Sequence, residues 1–466
     1  MAYTPPSVRV TSIANSRIIN IDEDARIPCI MGTGPTSRVI TDYPVTRAAY
    51  SGSYPGTFDL LPTSGSVSTI SSLIASPYPG AGVGYDSWES NYYTASGSGG
   101  AIYWGGAAGA GTTGPRVGET YYVSYTYPVV PATQYAPTVF VDSNDIKAFY
   151  GVESITTGKI TVAASMALEN GAPAVMCCQV QGNEATSANW TTALTKLRKK
   201  SNIAYVVPIT SGSAIQTLVL SHCENESNPD IGHERECILG ADTGTITVQQ
   251  FVDKADAFDN KRAILVAPDV SVTRVSAGST LTLGGEYVAS ALSGLITGQD
   301  KIVTPITGKI IVGFTIPDEQ YEPYDMNRMA NEGVCVIYAK SGVNKVRHAI
   351  TTDTSTADNR EISVVAADDL VRRITRNKLN EAYIGKGIVI NESTPAGVAA
   401  TVAAIWNSLV RDGLLSSYGT KNDPTTGEVA ITAAQDSAEP TRINVTGSVK
   451  FLYPLNYINV EFYIYV

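Results

Sequence analysis

The sequence predicts a multi-domain chain of α/β and α+β character: a central α/β domain, an inserted β-rich domain, a C-terminal α+β domain, and extended strand arms at both ends. Three observations predict it. From Asp142 to about Gly298, short apolar runs alternate with stretches of helical period, the pattern of α/β proteins. Residues 43–127 form a compositional zone of their own. The last ten residues alternate without a fault, with Ile458, Val460, Phe462, Ile464 and Val466 on one face and Tyr457, Asn459, Glu461, Tyr463 and Tyr465 on the other, as a β-strand does.

At the front, Thr4, Pro5, Pro6, Ser7, Val8, Arg9 and Val10 make an extended segment stiffened by two prolines, too short to fold alone. Residues 1–20 are assigned to an N-terminal arm. Residues 21–42 and 128–300 are assigned to a discontinuous central domain, and 43–127 to the insert. Between Arg47 and Lys147 the only cation is Arg116, and residues 43–135 hold half of the 26 tyrosines. Gly97, Gly99, Gly100, Gly105, Gly106, Gly109, Gly111 and Gly114 mark turns, while Tyr121, Val123, Tyr125 and Tyr127 begin a strand. Such a Gly/Tyr/Ser surface suits partner recognition and equally suits a neutral outer decoration.

In the central domain Ile203–Val207 and Ala263–Ala267 read as buried strands, ending at Pro208 and Pro268. Helical spacing appears at Trp190, Leu194 and Leu197, and at Tyr287, Ala291, Leu292 and Leu295. Residues 301–453 form the C-terminal domain: a strand from Val334 to Ala339, a helix near 362–383, another near 395–412, and terminal strands. Pro395 suits a first helical turn and Gly413 a C-terminal cap. On the second helix Val398, Val402, Ile405, Trp406 and Leu409 form an apolar stripe of core type.

Residues 454–466 form the C-terminal arm. Burying its five apolar side chains stabilises by roughly 1.5–3 kcal/mol each, and ordering ten residues costs roughly 1–2 kcal/mol each. The two nearly cancel, so the strand needs a sheet edge, either in its own chain or in another molecule.

At 466 residues the chain allows roughly two to four domains. A net charge of −10 argues against nucleic acid as the main partner, which needs a concentrated basic surface. The start carries no charged-then-apolar signal segment, and no apolar run approaches the roughly 20 residues that span a bilayer. The chain is therefore expected to be soluble, made in the cytoplasm, and not inserted in a membrane. Six cysteines, Cys29, Cys177, Cys178, Cys223, Cys237 and Cys335, are too few for a disulfide scaffold and read as buried reduced thiols, with late disulfides open if the finished particle works outside the cell.

No cofactor is expected, and no catalysis. There is no G-x-S-x-G elbow, and His222, His233 and His348 have no motif joining them to a serine and an acid. Gly158-Lys159, Gly308-Lys309 and Gly385-Lys386 lack the Ser or Thr that a phosphate-binding loop places next. His222, Cys223, His233 and Cys237 do not have the spacing of a zinc site, and no metal is assigned.

The stretch LRKKSNIAYVVPITSGSAIQTLVLSHCENESNPDIGHERECILG, Leu197 to Gly240, resembles the central domain of contractile tail sheath proteins of the bacteriophage type. A strand ending in Val-Pro, a helix ending near His-Cys, and a Gly-x-Glu-Arg segment before a strand follow in that order. The resemblance continues through RAILVAP (Arg262 to Pro268), GGEYVASALSGLI (Gly284 to Ile296), PITGKIIVGF (Pro305 to Phe314), NEGVCVIY (Asn331 to Tyr338) and LVRRITRNKLNEAYIGK (Leu370 to Lys386). At the front, PPSVRV and IPCIMGTG (Ile27 to Gly34) fit the family's N-terminal arm and first strand.

The resemblance implies a virion-tail subunit, assembled in the host cytoplasm, that polymerises with itself as stacked six-fold rings around an inner tube protein. Contraction then drives the tube through a cell envelope. Baseplate and tail terminator proteins are the further partners implied. The domain at 301–453 becomes a tube-contacting and polymerisation domain, and the arms, through Val8 and Val10 and through Ile458, Val460, Phe462, Ile464 and Val466, add strands to neighbours. Contraction needs no fuel if each subunit has two packings a few kcal/mol apart. The candidate tube contact is Arg372 and Arg376, at i and i+4, with Arg373 and Lys378 close by. A basic face suits an acidic tube wall; local pairing with Asp368, Asp369 and Glu381 is the other reading. A phage-derived bacteriocin or another contractile injection system fits the same residues. The classes opposed to it are an enzyme on an α/β scaffold and an adhesive surface protein using the Gly/Tyr-rich insert.

Overall fold

The computed structural model describes residues 9–11, 18–20, 27–46, 58–60, 69–74, 93–96, 101–104, 118, 120–128, 131–182, 186–241, 246–269, 272–276, 279–318, 320–456 and 461. Two compact units result. One comprises Met1–Gly32, Pro137–Ser143 and Val162–Val466, the other Thr33–Ala136 and Asn144–Thr161.

The larger unit is organised by an eight-stranded sheet. Its order is Thr138–Phe140, Val175–Val180, Ile27–Thr33, Ile203–Pro208, Glu236–Gly240, Ala263–Ala267, Val334–Lys340, Val343–Val346. The five strands from Ile27–Thr33 to Val334–Lys340 pair in parallel, and antiparallel strands close both edges. Strands of a parallel sheet are covered on both faces and read as unbroken apolar runs. This is why IAYVVP and AILVA are buried at every position.

One face packs Cys29, Met31, Cys178, Val206, Leu239 and Leu265 against helices Ser187–Leu197, Ser213–Glu226, Val248–Phe258 and Pro323–Asn331. The last but one begins with a capping box between Thr247 and Gln250, which satisfies two orphan donors of its first turn. Against strands Ile203–Pro208, Glu236–Gly240 and Ala263–Ala267 lies helix Gly285–Thr297, buried at every residue. Its glycines allow that depth. A Cβ at Gly294 would meet the Ala167 carbonyl oxygen of helix Lys159–Glu169 at 2.1 Å.

The sequence boundary at residue 300 does not coincide with a break in this unit. Strand Val334–Lys340, expected in a separate α+β domain, pairs with Ala263–Ala267 and extends the central sheet. Its VCVIYA run is apolar on both faces, which a parallel interior requires. Beyond it, helices Ile362–Tyr383 and Thr394–Arg411 pack around Val371, Ile405, Leu409, Leu414 and Leu415, joined by Trp406, Val449 and Phe451. Pro395 sits in the first turn, and Gly413 follows the helix at φ 68°. Two strand pairs complete the lobe, Leu415–Tyr418 with Val449–Phe451 and Thr432–Gln435 with Ile443–Thr446.

The smaller unit has two three-stranded antiparallel sheets, one with Thr120–Pro128 between Ser37–Thr46 and Thr69–Ile74, the other with Ala101–Trp104 between Phe58–Leu60 and Tyr93–Ser96. Tyr121, Val123 and Tyr125 are buried on one face of the first, as their alternation predicts. This unit is wider than the 43–127 insert read from composition, because Ser37–Thr46 is the partner strand of Thr120–Pro128. Among the described residues no helix is long and apolar enough to cross a membrane.

Candidate functional site

Helix Ile362–Tyr383 carries the candidate residues. It buries Ile362, Val364, Val365, Ala366, Ala367 and Val371, and with them two charged groups, Asp369 and Arg373. Asp369, Arg373 and Arg376 recur at i, i+4 and i+7, a single helix face. That face meets the segment before strand Glu236–Gly240. Arg262 Nη1 and Nη2 donate to Asp369 Oδ2 and Oδ1 at 2.8 Å each. Arg373 Nη2 lies 3.8 Å from Glu234 Oε2, and Arg376 donates from Nη1 to the Gly232 carbonyl at 2.9 Å and from Nη2 to Glu234 Oε1. Burial opposes the charge on Arg262, but the Asp369 hydrogen bonds and charge prevail and raise its pKa.

The residue after Glu234 is tied to other elements. Arg235 is fully buried; it donates from Nη2 to the Lys200 carbonyl at 2.7 Å, from Nε to the His233 carbonyl at 3.1 Å, and from Nη1 to His222 Nε2 at 3.2 Å. His222 must accept that bond, so it is held neutral. Burial, then the charges of Arg235 and Arg198, push its pKa down to about 3. The Gly232-His233-Glu234-Arg235 segment is thus a junction: Glu234 takes the helix arginines, and Arg235 ties together chain ends from Leu197 to Lys200. Sequence reasoning noticed the segment but missed this role. The signal was available, an adjacent acid and base leading into an apolar strand.

The four predicted tube-contact residues part company. Arg373 and Arg376 are turned to Glu234, and Arg373 is buried. Arg372 is 43% exposed and pairs with Asp368 at 2.7 Å, one turn back. Lys378 is exposed. Of the local acids, Asp368 alone takes Arg372, while Asp369 is held by Arg262.

Val10 lies in strand Arg9–Thr11, which pairs antiparallel with Ile18–Asn20 of the same chain, Val10 opposite Ile19. Val8, Ile458, Val460, Phe462, Ile464 and Val466 lie outside the described residues. All six cysteines are free and buried. Burial pushes the Cys178 and Cys335 thiols up to about 12, which leaves little thiolate for chemistry. His222 faces Arg235, His233 Nδ1 lies 3.3 Å from Glu226, and Cys237 Sγ donates to the Arg262 carbonyl. Among the described residues no group of three or more His, Cys, Asp or Glu is placed to hold a metal ion.

The chain is 29% identical over 356 residues to the tail sheath protein of Mycobacterium phage Bxz1, a match covering 74% of this chain and 58% of that protein. Its fold matches the helical sheath of the anti-feeding prophage in the contracted state, with a TM-score of 0.56 at 12% identity, over 72% of this chain and 90% of that one. The resemblance to contractile tail sheath proteins holds in sequence and in fold. A sheath tail protein of Listeria innocua shares the sheath fold, with a TM-score of 0.52 at 11% identity, over 68% of this chain and 88% of that one. A contracted sheath complex of an extracellular contractile injection system does so at a TM-score of 0.52 and 14% identity, over 70% and 86% of the two chains. The chain spans little more than half the length of the phage sheath protein it matches. No family model matches the chain.

Proposed function

We propose that this chain is a non-enzymatic structural subunit of a contractile tail sheath, stacked in hexameric rings around an inner tube that contraction drives through a cell envelope. The observation that carries this reading is the fold shared with the contracted anti-feeding prophage sheath over 90% of that chain, together with the phage sheath relative. In this reading the sheet and its helices form the body, and the part of 301–453 beyond the sheet, with helices Ile362–Tyr383 and Thr394–Arg411, meets the tube and neighbouring subunits. The N-terminal arm at Val8 and Val10 and the C-terminal arm at 454–466 pair as strands with other copies, beside one another. Main-chain hydrogen bonds of added strands then hold the mesh while bodies rotate. The tube contact narrows to Arg372 and Lys378, the candidates that face solvent.

The lean towards a phage tail over a bacteriocin or another injection system rests on the phage relative and on the Gly/Tyr-rich region. Electron microscopy of the purified chain, alone and with its tube protein, tests the reading. Tubes with a helical repeat are expected. Globular monomers at every concentration would overturn it.

A further inference from the structure

The turn at residues 358–361 and the chain at 453–456 are joined by two side-chain contacts with the same spacing. The Tyr453 hydroxyl donates to Asp358 Oδ1. Three residues further along each segment, Asn456 Nδ2 donates to Glu361 Oε1 at 3.1 Å. The same carboxylate oxygen accepts from His348 Nε2 at 2.7 Å, and the two nitrogens lie 3.1 Å apart. Two donors cannot bond one another, so both groups converge on Glu361 as their shared acceptor.

The receiving side is tied to the body. Glu361 sits between helices Ala357–Arg360 and Ile362–Tyr383, bridges to Ile350, and is 12% exposed in its side chain beside a His348 that is 9% exposed. The donating side has little apolar attachment, since Leu452 is 51% and Leu455 80% exposed. Pro454 narrows the backbone between the two contacts. Hydrogen bonding to Asp358, the largest cause, raises the pKa of Tyr453, as expected where a carboxylate holds the phenolic proton.

We propose that Asp358 and Glu361 form a two-point clasp that fixes where, and in which direction, the chain leaves the body towards residues 457–466. They are positioning residues for pairing of the C-terminal segment with a second copy of this chain, an inference that rests on the sheath reading. With the clasp closed, the chain is held to the body up to Asn456. With it open, the last hold is near Phe451, and the C-terminal segment is presented with less direction and at lower effective concentration.

Tyr453→Phe and Asn456→Ala, combined in the full-length chain, remove both donors from the clasped segment without touching the body. Cleavage by limiting protease within residues 452–456 of the soluble subunit should speed up by about tenfold or more at an unchanged melting temperature. The yield of ordered tubes should fall by about tenfold. Unchanged cleavage overturns the clasp. Faster cleavage with tubes at wild-type yield overturns its positioning role, and if the wild-type chain forms no tubes, that role falls with the sheath reading while the cleavage result still decides the clasp.

Discussion

Arg262 and Asp369 meet through two parallel hydrogen bonds of 2.8 Å, with side chains only 7% and 2% exposed. One lies at the start of a central sheet strand, the other on helix Ile362–Tyr383, so the pair ties that helix to the sheet. Removing one partner strands the other charge out of water. Asp369→Ala should therefore destabilise the subunit by about 3–5 kcal/mol, whereas replacing both by apolar residues of similar volume should cost much less. Urea denaturation of the two single variants and the double variant reads the difference.

Acid should act through His222. Its pKa in the folded subunit is lowered from 6.5 to about 3, so the unfolded chain binds its proton more tightly. The contribution to stability is fully present above pH 6.5 and is lost progressively as pH falls towards 3, on the order of 1.4 kcal/mol per unit. Protonation would also set an imidazolium against the buried Arg235 guanidinium. His222→Gln removes the titration and should flatten the dependence of the urea midpoint on pH between 6.5 and 4; an unchanged slope would place the acid sensitivity elsewhere.

Two glycines should respond very differently to alanine. At Gly294 the added Cβ would lie 2.1 Å from the Ala167 carbonyl oxygen, and both atoms belong to helices packed in the core. Gly294→Ala should cost at least about 1–3 kcal/mol and lower the melting temperature sharply. Gly413 has φ 68° with nothing within 4 Å of the position a Cβ would take. Gly413→Ala should cost only about 1 kcal/mol, through backbone strain alone.

Much of the fold was legible because apolar runs and helical periods are local signals. The run Ala263–Ala267 was read with both its ends, and the helix at 362–383 likewise. What was not legible is pairing over long separation. Nothing local places Ile27–Thr33 beside Ile203–Pro208, or Val334–Lys340 beside Ala263–Ala267. The basic helix shows the same limit. Spacing put Arg372 and Arg376 on one face, but which face turns inward depends on Glu234, 142 residues away from Arg376. The outward residues are therefore Arg372 and Lys378, and the inward set runs Asp369, Arg373, Arg376.

Deleting residues 457–466 leaves the Glu361 contact with Asn456 in place. If those residues pair in another subunit, the truncated chain should remain monomeric, with a melting temperature within a degree or two of the full chain, and form no tubes. A fall in melting temperature comparable to a core mutation would show instead that the strand belongs to its own subunit.

The arginines of the helix allow a sharper separation of folding from assembly. Arg372 is half exposed, and its partner Asp368 also has Lys261 within 3.6 Å, so the pair contributes little. Arg372→Glu with Lys378→Glu should change stability by no more than about 0.5 kcal/mol. If Arg372 and Lys378 meet an acidic tube wall, the same double reversal should abolish co-assembly with the tube protein, scored as sheathed tubes in negative stain. Arg376→Glu is the control that behaves oppositely. It would set a second carboxylate against Glu234, which is 1% exposed in its side chain, and should destabilise the monomer by several kcal/mol before assembly is reached. Normal sheathed tubes from the Arg372 and Lys378 reversal would show that these two residues do not carry the contact, and a stable Arg376→Glu monomer would show that the Glu234 pairing does not hold the fold.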